Sequence, residues 1–280
     1  MTEKRIYVLG ASGMLGRYIW KYLATKDYVV IPVNRDVIDA SNMTEEKLRA
    51  ILEVVLHVKS GDVIINCIGT IKPRVDSLGD LNAILVNSVF PRVLANVCET
   101  LGVNMIHPTT DCVYTGTKGS YDETDKYDVN DVYGMSKALG EPNNCTVIRT
   151  SIIGEEVGQT RSLVEWVKSM KDSEVFGFTN HFWNGVTCLQ FAKICDGIIT
   201  VDGFWKGIKH LHSNVLNKKE LVETISDVYG LNIKVNPKET PLSCDRSLST
   251  VNHENLKAFN IPSLIEQIKE MKEFSNTLYN

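Results

Sequence analysis

The 280-residue sequence has no C-x-x-C pair, no excess of positive charge, and no apolar run near the roughly 18 residues that a membrane span needs. Each absence removes a class of function. The seven cysteines, at 67, 98, 112, 145, 188, 195 and 244, are odd in number and scattered. That pattern argues against a zinc ribbon or a disulfide framework and fits free thiols in a reducing cytoplasm. A formal net charge of -4 exerts no general pull on nucleic acid or on an anionic membrane surface. The opening MTEKRIYVLG carries a four-residue apolar run and then glycine, too short for the apolar segment of a signal peptide. His57, His107, His210, His212 and His253 form no metal-ligand set; they read as surface residues, with His210 and His212 on one face of a strand.

What the sequence does contain is alternation. Ile6–Leu9 reads as a strand and 14–24 as a helix, followed by strand Val29–Val33 and helix 44–58. Strand Val63–Ile68, helix 81–101, strand Val103–Ile106, helix 132–141 and strand Thr146–Ile148 continue the pattern. Strands separated by helices imply a Rossmann-type, doubly wound parallel sheet, an α/β fold that takes ligands beyond the carboxyl ends of its strands. After residue 150 the pattern loosens, with helices at 160–171, 188–199, 217–229 and 262–278 and strands near 208–211 and 232–235. The expected organisation is a dinucleotide-binding domain over 1–150 and a smaller C-terminal α/β substrate lobe over 151–280, with exchange of segments between them allowed.

The first strand–helix junction reads GASGMLG, placing Gly10, Gly13 and Gly16 around Ser12, Met14 and Leu15. Glycine there lets the backbone turn tightly and approach a pyrophosphate at the helix N-terminus. No Gly-Lys-Ser/Thr follows, so a Walker loop is excluded. An NAD site usually offers a carboxylate at the end of the second strand, where this chain has Asn34 and Arg35 in VVIPVNRD. Arg35 and Arg17 could hold a 2′-phosphate bidentately, which favours NADPH. Either arginine could equally be a solvated surface charge, and Asp36 lies close enough to accommodate NADH.

VYGMSKALGE sets Tyr133 and Lys137 four residues apart, on one helix face. A nearby ammonium favours the phenolate and would bring a tyrosine towards working pH. Upstream, PTTDCVYTG gathers hydroxyls, a carboxylate and a thiol at a strand end.

Together with INCIGTIKP, the Asn87 and Pro91 of VNSVFPRVLANVCETLGV, VIRTS and DRSLST, these motifs run in order through nearly the whole chain. The sequence resembles the extended short-chain dehydrogenase/reductases, specifically the dTDP-4-dehydrorhamnose reductase (RmlD-like) branch. The resemblance implies that Thr110 bonds a substrate carbonyl, that Tyr133 is the general acid, and that Lys137 bonds the nicotinamide ribose and lowers the tyrosine pKa. It places Asn87 in the active-site region, Cys67, Ile68 and Gly69 along the cofactor, and Arg149 and Thr150 beside the cleft. Asp111, Cys112, Trp183, Asn184 and Arg246 fall at the sugar-nucleotide side, where Arg246 would meet a diphosphate.

Three features depart from the branch. Pro142 ends the catalytic helix early, which bears on the subunit interface that this helix helps build in related enzymes; a homodimer is still allowed. Trp183 and Asn184 sit in the region that shapes the sugar pocket. Cys112 lies where GDP-fucose synthase carries an acid–base cysteine, with His181 as the nearest candidate partner by position. The reading is an NADPH-dependent reductase of a nucleotide-activated 4-keto-6-deoxy sugar, serving surface polysaccharide synthesis, without metal, nucleic acid or membrane. The alternatives are an epimerase, dehydratase or epimerase–reductase, and a non-catalytic NADP-binding regulatory subunit.

Overall fold

Side chains of both parities along the N-terminal strands are apolar, so both faces of their sheet must be covered. In the computed structural model, which describes residues 4–158 and 160–278, this is what happens. The chain runs β1 (Arg5–Leu9), α1 (Met14–Leu23), β2 (Val29–Val33), α2 (Glu45–Ala50, continuing as a π-helical turn over Ile51–Val55) and β3 (Val63–Asn66). Then come α3 (Lys72–Leu78), α4 (Asp80–Ile84), a π-helical turn over Leu85–Val89, α5 (Phe90–Leu101), β4 (Asn104–Thr109), α6 (Val132–Leu139) and β5 (Thr146–Arg149).

The second half holds β6 (Ile152–Ile153), α7 (Leu163–Ser169), β7 (Glu174–Phe178), β8 (His181–Trp183), β9 (Val186–Thr187) and α8 (Cys188–Thr200). It ends with β10 (Gly207–His210), β11 (Leu216–Asn217), α9 (Lys218–Tyr229), β12 (Lys234–Lys238), β13 (Cys244–Asp245), α10 (His253–Ala258) and α11 (Leu264–Phe274).

The central sheet has the order β10-β5-β4-β3-β1-β2, and every pairing is parallel. Tyr7, Leu9 and Ile64 point to one face, where Leu48, Leu52, Phe90 and Leu94 cover them. Ile6, Val8 and Ile65 point to the other, against Ile19 and Leu23 of α1 and Phe191 and Ile194 of α8. The continuous helical stretch Asp80–Leu101 has the length and hydropathy of a membrane-crossing helix, yet 56% of it is buried. Its Phe90, Leu94, Val97 and Cys98 form part of the core.

Two segments from beyond residue 150 complete this sheet domain: β10 pairs with β5, and α8 packs on α1. A third cluster, with Leu189, Leu221, Ile225, Leu264 and Ile268, forms the core of the smaller lobe and reaches back to Tyr18 of α1. Strand order reverses between β1 and β3, so the crevice opens where Gly10 and Cys67 follow those strands.

The sequence-based boundaries shift in informative ways. β4 reaches Thr109, three residues beyond the expected end, and so delivers Thr110 directly from the sheet. α6 stops at Leu139, before Pro142; a Cβ on Gly140 would overlap the Asn87 carbonyl, so the chain turns there by close approach rather than because of the proline. α3 was not anticipated. If α8 belongs to the same core as the sheet, Phe191→Ala should cost about 3–5 kcal/mol. Urea unfolding should then show one transition, shifted together in near- and far-UV circular dichroism.

Candidate active site

Gly10 adopts φ +74°, and its N–H donates to Val33 O at 2.8 Å. A Cβ there would come within 3.1 Å of the Cys67 carbonyl carbon, and one on Gly16 would overlap the Gly10 carbonyl. The glycine turn is therefore compressed between β1, β3 and α1. Gly13 begins α1 without any side-chain cap, leaving first-turn N–H groups free for an anion.

Two cavities flank this turn. Arg35, Ile38 and Asp39 line one; Met14, Leu15 and Arg17 line the other. The structure thus separates the two arginines considered for a 2′-phosphate. Arg35 pairs with Asp39 at 3.1 Å, whereas Arg17, on the far side, donates to Leu278 O at 3.3 Å. The carboxylate beside the Arg35 cavity is Asp39, and Asp36 is exposed.

Beyond the turn, the backbone of Cys67, Ile68 and Gly69 forms the floor. The Lys137 ammonium would lie 3.2 Å from a Cβ on Gly69, so the ammonium sits close against this stretch of backbone. No carboxylate lies within ion-pair distance of Lys137 among the described residues. Burial brings it down to about 8, against the pull of Glu141. Asn87 accepts from Thr70 N at 2.8 Å and donates to Thr70 O at 2.9 Å and to Ser136 Oγ at 3.2 Å. Its amide builds the wall of the groove instead of reaching into it.

Thr110 donates to Asp111 Oδ1 and accepts from Cys112 N, both at 3.1 Å, which fixes its rotamer. Its hydroxyl also faces the Tyr133 phenol. A Cβ on Gly134 would overlap the Cys112 carbonyl, so α6 lies directly against this turn. Tyr133 is pushed up, not down as the Tyr–Lys pair suggested. Burial dominates, Cys112 and Asp111 add to it, and the Thr110 hydrogen bond opposes it. Cys112 is itself raised to about 12 by burial and then by Asp111. It stays a thiol at neutral pH.

From the smaller lobe, Trp183 is buried and Arg246 donates from Nε to Tyr114 O at 2.9 Å while feeling the field of Cys112 and Asp111. Asn184 has a different task from the one inferred: its amide bonds Leu248 N–H and C=O at 2.9 and 2.7 Å, tying down the Arg246 segment. His181 bonds Thr240 at 2.7 Å. Lys218 was missed. It lies over the Trp183 ring at 5.4 Å and interacts with Asp111 and Cys112, although in sequence it looks like an ordinary helix-start lysine.

Arg149 does not face the cleft. It is 4% exposed, bonds Glu141 with Nε at 3.0 Å and Nη2 at 2.6 Å, and donates to Tyr114 at 2.6 Å and His210 at 2.9 Å. Glu141 follows α6, so this pair anchors the catalytic helix to β5. His107 and His210, read as surface residues, are buried; His107 bonds Asn66, and His210 bonds backbone carbonyls of Tyr121 and Ser249. β10 ends at His210, so His212 is off the strand.

A family model described as the RmlD substrate binding domain matches residues 4–173. A dTDP-4-dehydrorhamnose reductase of Mycolicibacterium smegmatis is 32% identical over 50% of this chain and 41% of its own length. The methionine adenosyltransferase 2 subunit beta of Xenopus laevis is 26% identical over 82% of this chain and 74% of its own. The chain spans about half the length of the curated reductases it matches. A solved structure of dTDP-4-dehydrorhamnose reductase from Bacillus anthracis, in complex with NADP, superposes with TM-score 0.81. It is 20% identical and covers 97% of this chain and 99% of that one.

The buried histidines make stability pH-dependent. Burial and then Arg149 lower His210 from 6.5 to about 4; burial and then Lys137 lower His107 to about 3. Between these values and 6.5 the unfolded chain binds protons that the folded one does not, so stability falls as pH falls through that window. Urea titrations from pH 7 to 4 should show this decline, and His107→Asn with His210→Asn should flatten it. A flat profile for the unsubstituted chain would contradict the assignment.

Proposed function

Because the chain belongs to the RmlD substrate-binding domain family, we propose that it is a nicotinamide-dependent reductase of a nucleotide-activated 4-keto-6-deoxy sugar. The observation that carries the reading is the meeting of the Thr110 and Tyr133 hydroxyls at the start of α6, the helix that also carries Lys137, whose ammonium lies by Gly69 in the crevice. The residues present fit a dinucleotide. The compressed Gly10–Gly16 turn offers an uncapped helix start for a pyrophosphate, and the Lys137 ammonium stands ready for ribose hydroxyls.

The chemistry drawn from the dinucleotide, when bound, is hydride delivery to a carbonyl carbon. The protein's part is at the oxygen. Thr110, turning its one proton from Asp111 Oδ1, and Tyr133 donate hydrogen bonds to it as negative charge grows, and Tyr133 gives up its proton to form the alcohol. Lys137 then balances the phenolate left behind. Its pKa near 8 leaves most of it charged at neutral pH.

Arg35 supports NADPH as the cofactor, with Asp39 as the feature that keeps NADH usable. Lys218 and Arg246 support an anionic substrate beside Thr110. Exposed Leu81 and Ile84 on α4, and Met135 and Leu139 on α6, support a homodimer through these touching helices. Seven free thiols support a cytoplasmic setting. A raised Cys112 and a His181 bonded to Thr240 speak against added epimerase chemistry. An intact Thr110–Tyr133–Lys137 set speaks against a purely regulatory role.

With a panel of dTDP-, UDP-, GDP- and CDP-4-keto sugars, NADPH absorbance should fall stoichiometrically with product. Turnover without net loss of NADPH would sink the reading. Tyr133→Phe should cut turnover by about 10²-fold or more while leaving dinucleotide binding intact. Arg35→Ala should weaken NADPH far more than NADH; equal losses would reject the phosphate role.

A further inference from the structure

The two cavities beside the glycine turn share five lining residues: Ser12, Gly13, Cys67, Gly69 and Arg74. Four of them belong to the turns after β1 and β3. The fifth, Arg74, comes from α3. A dinucleotide laid along both cavities, with its adenosine towards Arg35, would carry its pyrophosphate through this shared stretch. The glycine turn lines that stretch with backbone, and Arg74 is the one cation among the shared lining residues.

α3 is built to hold Arg74 there. It presents a single buried side chain, Val75, so packing alone does little to hold it. Its entry is fixed because both backbone groups of Thr70 are bonded to Asn87. Lys72 pairs with Asp131 at 3.0 Å, and Asp131 caps α6 by accepting from Gly134 N at 2.9 Å. Its exit is Gly79, at φ +82° with open space around it, a position that can swivel. The Arg74 guanidinium pairs with no carboxylate among the described residues.

We propose that α3 is a strap across the cofactor groove, in which Arg74 clamps the pyrophosphate of the dinucleotide from the wall facing the glycine turn. The inference rests on the reductase reading and adds to it a binding residue outside the glycine motif. A guanidinium fork spans two phosphate oxygens at once, which suits a pyrophosphate. The clamp is blind to the ribose 2′ position: Arg74 sets how tightly either dinucleotide is held, and Arg35 sets which one is preferred. The Lys72–Asp131 latch joins the strap to the cap of the helix that carries Tyr133 and Lys137.

The test is equilibrium binding of NADPH and of NADH to the full chain by calorimetry, for the unsubstituted protein, Arg74→Ala, Arg74→Lys and Arg35→Ala. Arg74→Ala should weaken both dinucleotides by the same factor, about 10- to 100-fold, the range for losing hydrogen bonds to a charged group. Arg74→Lys should recover part of the loss, because it restores the charge without the fork. Arg35→Ala should change the NADPH-to-NADH ratio, which Arg74→Ala leaves alone. Unchanged binding by Arg74→Ala, or a loss confined to NADPH, overturns the strap while the reductase reading stands. Failure of the unsubstituted chain to bind either dinucleotide overturns both. Thermal unfolding without ligand should be the same for Arg74→Ala and the parent, since the side chain is exposed.

Discussion

One buried amide holds the site together. Asn87 takes Thr70 N–H on its oxygen and gives its two N–H groups to Thr70 O and Ser136 Oγ, so a single side chain joins the groove floor to the catalytic helix. Ser136 stands between Tyr133 and Lys137 in sequence, and the Ser88 hydroxyl bonds the Ser136 carbonyl at 2.7 Å. Every polar group in this joint has a partner, and such satisfied buried networks are rigid. The helix that supplies Asn87 is adapted to the task. Pro91 has no N–H to offer the carbonyl four residues back, which is that of Asn87 itself. The helix passes through a π-helical turn just there, and Gly140 is small enough to approach that carbonyl.

A second anchor lies deeper. The Glu141–Arg149 pair is bidentate, 4–5% exposed in its side chains, and completed by Tyr114 and His210. A buried ion pair of this kind is weak evidence for net stability, because desolvation offsets much of the attraction. Its value is positional. Breaking it would leave a charge stranded under β5 and release the end of α6, one turn beyond Lys137. The carboxylate also lends Lys137 some of the negative field that opposes its desolvation.

How far the sequence spoke depended on whether the signal was local. The strands of the sheet announced themselves because both faces are covered and each run is apolar, and the glycine turn because its spacing is set by sterics at one junction. Tyr133 and Lys137 lie four residues apart on one turn-and-a-bit of helix, so they too were legible. The buried histidines were not. His107 meets Asn66 across 41 residues, and His210 meets Arg149 across 61 and the Tyr121 carbonyl across 89. No local pattern encodes partners that distant. β10 is four residues with no periodicity of its own, and it joins the main sheet only because β5 offers an open edge. α3 was hidden by Pro73 and by having one buried position instead of an apolar stripe.

The smaller lobe shows why its side of the site was hardest to read. Lys218 and Arg246 come from segments 28 positions apart, and both interact electrostatically with Asp111. Burial lowers Lys218, and Arg246 lowers it further, so the two cations repel each other with Asp111 as a shared counter-charge. Holding like charges close in a partly dry pocket is costly unless an anion completes the set. The same pair acts on His181, which is lowered by burial and then by Lys218 and Arg246. The cations that would meet an anionic ligand thereby discourage protonation of His181, the histidine considered as a partner for Cys112. The thiol meanwhile is held neutral by burial and by Asp111. One arrangement of charge thus suits an anionic ligand and keeps both Cys112 and His181 neutral, so on the proposed reading the acid–base work falls to Thr110 and Tyr133.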